Sequence, residues 1–300
     1  MKTLPIIQSL WIDAPFSNLE RLCAQSFLDH GHEFHLYAYA DIEGVPEGVV
    51  IKDGNEILKA SELFDGTWQR PSNLADYFRY TLLHQRGGWW VDMDLVCLKP
   101  FQFQESIVFA PRGHTATAFN NFILCFPAGN ALMSEMQKLC ESRLAQKRNH
   151  RKRFSHGALG GPTDFTKMVY KLDMQKHVVS SARFYNPAPQ VAFNRTYREG
   201  LHFPSNTYAV HLRKAGQDKF SIDMNAQFDK ESMYEQLKTR HGIRNIPGAT
   251  QITSDEFEKR YVEFEAKKEA AKRWRKTREK IWASIAVAMM AALLVSYLSG

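Results

Sequence analysis

Asp92 and Asp94 stand one residue apart in an apolar run, Trp89 to Leu98, that reads as a β-strand. Alternate residues of a strand share a face, so the two carboxylates project together, roughly 7 Å apart along the chain. Such a pair suits a hard divalent cation, Mg²⁺ or Mn²⁺. With coordination positions left open, that ion bridges a diphosphate and neutralises the charge that develops as the diphosphate leaves. An Asp-x-Asp alone fits an ordinary hydrophilic strand end equally well, so the neighbouring elements have to decide.

Those elements are a helix and a strand joined by a glycine pair. Ser72 or Asn73 can cap a helix that starts just after Pro71. Leu74, Tyr77, Phe78, Thr81 and Leu82 recur at helical spacing and make an apolar stripe. Ser72, Asp76 and Arg79 fall at i, i+4 and i+7, on the opposite face. Gly87-Gly88 ends the helix, because glycine takes positive φ without strain. Upstream, residues 4–12 read as a buried strand with Trp11 at its end. Ser17-Asn18-Leu19-Glu20 is a capping box opening an amphipathic helix, and His32 to Tyr39 alternates as a second strand. A strand–helix–strand start predicts a parallel sheet covered by helices, with ligands at the carboxyl ends of its strands. Trp11 and the two aspartates would lie there. No GxGxxG follows the first strand, which argues against a dinucleotide dehydrogenase.

Ser72, Asp76, Arg79, Tyr80, Gly87, Gly88, Trp90, Asp92 and Asp94 together form S-x-x-x-D-x-x-R-Y, two glycines, an aromatic residue and D-x-D. This pattern resembles the sugar-nucleotide motif of the family 32 glycosyltransferases and their relatives, the clostridial glucosylating toxins. The resemblance covers about residues 1–215. It implies an α/β fold of GT-A (Rossmann-like) type and transfer of a sugar, with retention, from a nucleotide-sugar, UDP-linked in the first instance. It implies that Asp94 binds Mn²⁺ or Mg²⁺ directly, and that Asp92 supports the metal and contacts the ribose or sugar. Asp76 and Arg79 would hold sugar and diphosphate, Trp11 would stack on the base, and Ser72 and Trp90 would complete the donor site. Trp90 departs from the pattern, where tyrosine is usual.

Further along, His211-Leu212-Arg213-Lys214 is similar to an H-L-W-like segment of that family, without its tryptophan. His211 would be a third metal ligand or an ordinary hydrogen-bonded strand histidine. Arg213 and Lys214 could steady the leaving diphosphate. Asn120-Asn121 would serve the sugar or a turn. Asp164, after the glycine-rich stretch His156 to Pro162, would touch the sugar or simply open a helix.

The net charge of +7 and pI of about 9.1 arise largely from two local runs, Arg143 to Arg153 and Lys267 to Lys280. They suggest an anionic membrane surface and no nucleic acid, since no nucleic-acid-binding motif accompanies them. Cys23, Cys97, Cys125 and Cys140 lack metal-ligand spacing and read as thiols in a reducing compartment. The domain reading is a catalytic domain at 1–225, a polar linker at 226–252, a charged amphipathic helix at 253–280 and a transmembrane tail anchor at 281–298. Ile281 to Leu298 is 18 residues without a charge, and the basic run before it predicts a cytoplasmic flank. The acceptor would then be a glycan or lipid-linked glycan at the membrane. Two rivals are a toxin-like transferase acting on a protein side chain and a non-catalytic tail-anchored scaffold.

Overall fold

The computed structural model describes residues 3–12, 14–63, 71–113, 117–150, 160–194, 201–212 and 222–298. Strand β1 (Ile7–Leu10) is buried at all four positions. Helix α1 (Asn18–Asp29) begins at the expected capping box: the Ser17 hydroxyl accepts from the Leu19 amide, and the Glu20 carboxylate accepts from the Ser17 amide at 2.8 Å. Leu19, Leu22, Cys23 and Phe27 form its buried face. Strand β2 (Phe34–Ala38) then pairs parallel with β1, and β3 (Val49–Asp53) pairs parallel with β2.

After a short helix, α2 (Ala60–Leu63), helix α3 (Pro71–Gln85) buries the expected stripe of Leu74, Tyr77, Phe78, Thr81 and Leu82. It stops at Gly87, where φ is +67° and a Cβ would sit 2.5 Å from the Ala128 nitrogen and 2.9 Å from the Phe126 carbonyl. Only glycine fits both the backbone angle and the space. Strand β4 (Gly88–Val91) then lies parallel to β1, on the side away from β2. The order β3-β2-β1-β4 therefore reverses direction at the β1–β4 boundary, the kind of crevice in which α/β sheets bind ligands.

The expected single strand from Trp89 to Leu98 is two strands. β4 ends at Val91, the Leu95 amide donates to the Asp92 carbonyl, and β5 (Leu95–Cys97) begins on the far side of that turn. The physical reason is a change of partner: Val91 is in register with Ile123, whereas Leu95 is in register with His211 in a different sheet. Asp92 and Asp94 thus sit on a turn between two sheets, and the alternation argument does not describe them. β6 (Val108–Pro111) and β7 (Phe119–Phe126) extend the first sheet antiparallel, to β3-β2-β1-β4-β7-β6. β8 (Phe184–Tyr185) and β9 (Ala209–His211) join β5 in the second sheet, ordered β5-β9-β8. The architecture is mixed α/β around a central sheet.

Helices α4 (Ala131–His150) and α5 (Pro162–Lys171) cover the β6–β7 side, and α6 (Pro189–Phe193) is short. Residues 226–252, expected as a linker, are folded. They contain α7 (Met233–Arg240), and Phe228, Met233, Tyr234 and Leu237 are buried in one cluster with Leu19 and Leu22 of α1. The polar residues that suggested a linker are turn and cap groups: Ser232 caps α7, and Glu235 and Lys238 pair at 2.7 Å inside it.

Helix α8 (Ser254–Leu298) joins the expected charged helix and the expected span in one element. Its first turns pack Phe257, Tyr261 and Phe264 on the same cluster. Among the described residues no helix is long and apolar enough to cross a membrane, so the span at 281–298 gains no support. Most side chains of that stretch lie outside the described residues.

Candidate active site

A cleft of about 390 Å³ opens where β1 and β4 end, lined by Trp11, Ser72, Arg79, Trp90, Asp92 and Asp94 among others. Its floor is pinned by two buried side chains of β1. The Gln8 amide donates to the Gly87 carbonyl at 2.9 Å, and the Ser9 hydroxyl donates to the Val91 carbonyl at 2.7 Å. These bonds tie β1 to the bend that delivers the Asp92–Asp94 turn.

Arg79 organises one side. Its guanidinium lies 2.9 Å from Asp92 and 3.4 Å from Asp76, and it also donates to the Asn121 carbonyl. It stacks over the Trp90 indole, 4.9 Å from the ring centre. The Trp90 indole N–H donates to Asp92 at 2.9 Å. Cation, carboxylate and ring therefore fix one another. Burial disfavours charge on Arg79, but Asp92 and Asp76 outweigh it and hold its pKa above the usual value. Burial pushes the Asp92 carboxyl up, with Arg79 opposing and Asp94 reinforcing.

Asp76 lies deeper. Burial raises its carboxyl to about 6 despite Arg79. The Asn121 side-chain amide donates to Asp76 at 2.7 Å and to the Tyr80 hydroxyl at 2.8 Å. Tyr80 in turn donates to the Gly160 carbonyl at 2.7 Å. Asn121 thus holds Asp76 with its side chain and Arg79 with its carbonyl. The sequence offers Asn121 either to a sugar or to a turn, whereas this double role comes from the β4–β7 pairing and has no local signal.

Across the turn, Asp94 lies 3.1 Å from the His211 imidazole, and both side chains are 12% exposed. His211 is stacked on Phe122 with ring centres 4.0 Å apart, and the Leu212 amide donates to the Asp94 carbonyl. A carboxylate oxygen and an imidazole nitrogen are apt donors for Mn²⁺ or Mg²⁺. Among the described residues no group of three or more His, Cys, Asp and Glu side chains is arranged to hold a metal. The reason is visible at Asp92, whose carboxylate is taken up by Arg79 and Trp90. Asp94 and His211 therefore fit a metal as a partial set, with the other positions left to ligands from outside the protein.

Trp11 follows β1 and lines the cleft, with its indole N–H donating to the Ala14 carbonyl at 2.7 Å. Ser72 lines it from the first turn of α3. Asp164 does not reach it. Its carboxylate is bound by the Arg143 guanidinium, with one contact at 2.8 Å, so one cation of the first basic run is used inside the fold. Asn120 donates to the Pro111 carbonyl at 3.3 Å. Arg213 and Lys214, most of the first basic run and the glycine-rich stretch before Gly160 lie outside the described residues.

An α/β sheet with a carboxylate-bearing cleft at its reversal point is a place where enzymes of this architecture bind ligands. Residues 19–111 match a family described as glycosyltransferase sugar-binding region containing DXD motif, and this match supports a DXD-type glycosyltransferase enzyme. Among solved structures the chain is similar to a protein titled PaToxG Glycosyltransferase, at 20% identity and a TM-score of 0.44, over 56% of this chain and 70% of that one. No curated protein matches the chain.

Proposed function

We propose that the cleft takes a nucleotide-sugar, UDP-linked, and that the enzyme, of GT-A type, transfers the sugar to a glycan acceptor. One observation carries this reading: Asp92 and Asp94, together with Arg79, converge on the crevice where β1 and β4 diverge. Trp11 would present its ring to the base, and Ser72 would offer a hydroxyl to the donor. Arg79, which lines the cleft, would be the cation for diphosphate oxygens, and Asp76, buried behind it, would hold it in place. Asp94 and His211 would hold Mn²⁺ or Mg²⁺, which would neutralise the charge of the departing diphosphate. Asp92 would act through its clamp, keeping Arg79 aimed while it contacts ribose or sugar. Tyr80 and Asn121 would keep Asp76 in place. Lipid linkage of the acceptor is a secondary part of the same reading.

The test is binding of UDP, GDP and CMP to the protein by calorimetry, with and without Mn²⁺. Metal-dependent UDP binding that Asp94→Ala weakens at least about a hundredfold is the expected result. Metal-dependent binding of GDP alone would move the donor to GDP-sugars. A folded chain that binds none of them would overturn the donor reading.

A further inference from the structure

We propose that the outer part of α8 docks on the surface of an anionic lipid bilayer, independently of the donor reading and of any membrane span. After Phe264 the helix leaves the domain, and residues 270–282 are exposed throughout. Trp274, Ile281, Trp282, Ile285 and Met289 are 64%, 53%, 62%, 42% and 63% exposed. At about 100° per residue, their spacing of i, i+7, i+8, i+11 and i+15 places them within an arc of about 100°. Among the described side chains these five make one apolar stripe, and two of them are tryptophans, which favour the boundary between lipid and water.

The charge around the stripe selects the occupant. Between Ala266 and Trp282 there are eight basic residues and two acidic ones. Lys268, Lys272 and Arg275 pair with Glu265, Glu269 and Glu279 along the helix, at 2.7, 3.4 and 3.7 Å. Among the described residues Lys267, Arg273, Lys276 and Lys280 have no acidic partner. Arg278 lies over the Trp274 ring at 5.3 Å, so a cation borders the stripe itself. A second copy of this helix would bring like charges together. A layer of lipid phosphates offers the opposite sign beside an apolar interior, which matches both parts of the surface.

The full-length chain is mixed with vesicles of phosphatidylcholine alone and of phosphatidylcholine with phosphatidylglycerol, and sedimentation reads the bound fraction. The expected result is binding at least about tenfold tighter to the anionic vesicles, falling steeply as salt is raised from about 0.1 to 0.5 M. The double variant Lys276→Glu/Lys280→Glu should remove that preference. Trp274→Ser/Trp282→Ser should weaken binding at either salt, and circular dichroism checks that both remain folded. Equal, salt-independent binding to both vesicles would overturn the proposal. So would a dimer in ultracentrifugation that Trp274→Ser dissolves, since the stripe would then belong to a second copy.

Discussion

Asp76 holds a carboxylate in the protein interior, where its charge is answered by Arg79 and by one amide of Asn121. Its pKa of about 6 lies above the unfolded value of 3.8. Between those values the native state keeps a proton that the unfolded chain has released. Its contribution to stability is therefore complete below about pH 4 and lost as pH rises through about 6. The loss is on the order of 3 kcal/mol. Urea unfolding at pH 4.5 and 7.5 should show the wild type losing about 2 kcal/mol more than Asp76→Asn between the two pH values, since roughly a third of the loss already precedes pH 4.5. Parallel curves would assign the titration elsewhere. Ser72, Asp76 and Arg79 could be read from sequence because helical spacing alone puts them on one face. Asn121 could not, because it reaches Asp76 and Arg79 only through the antiparallel pairing of β7 with β4.

Helices, and strands with a period of their own, are equally legible at the scale of the element. α1 announces itself by its capping box, and α3 by its stripe and its glycines. The Asp92–Asp94 turn was hidden because nothing near it in sequence shows that Leu95 will pair with His211. What aims that turn is the bend at Gly87, squeezed against the chain at Phe126 to Ala128. Gly87→Ala has to adopt a left-handed backbone and move main-chain atoms at once. It should cost about 2–4 kcal/mol in chemical denaturation. An alanine variant as stable as the wild type would show that the bend relaxes freely.

Across the whole molecule, the segment after β9 completes the domain. Ile222 to Ile252 supplies the buried cluster that α1 shares with the start of α8. Composition pointed to a linker because its polar residues are numerous, and their buried caps and pairs cannot be told from solvated ones by sequence. Phe228→Ala should destabilise the whole domain by about 3–5 kcal/mol, and trypsin should not cut the native chain at Lys238, which is 1% exposed. Early cleavage there, or a silent Phe228→Ala, would restore the linker.

Because α8 runs without interruption from its seat on that cluster to Leu298, one continuous helix joins the two. The facing of the cleft relative to the tryptophan stripe is then a matter of residue count. One residue inserted near Ala266 would swing the stripe by about 100° and carry it about 1.5 Å outward. Seven would return it almost to its starting azimuth about 10 Å further out. The rod is in this sense a gear with a fixed phase, and its length sets which way the catalytic head looks.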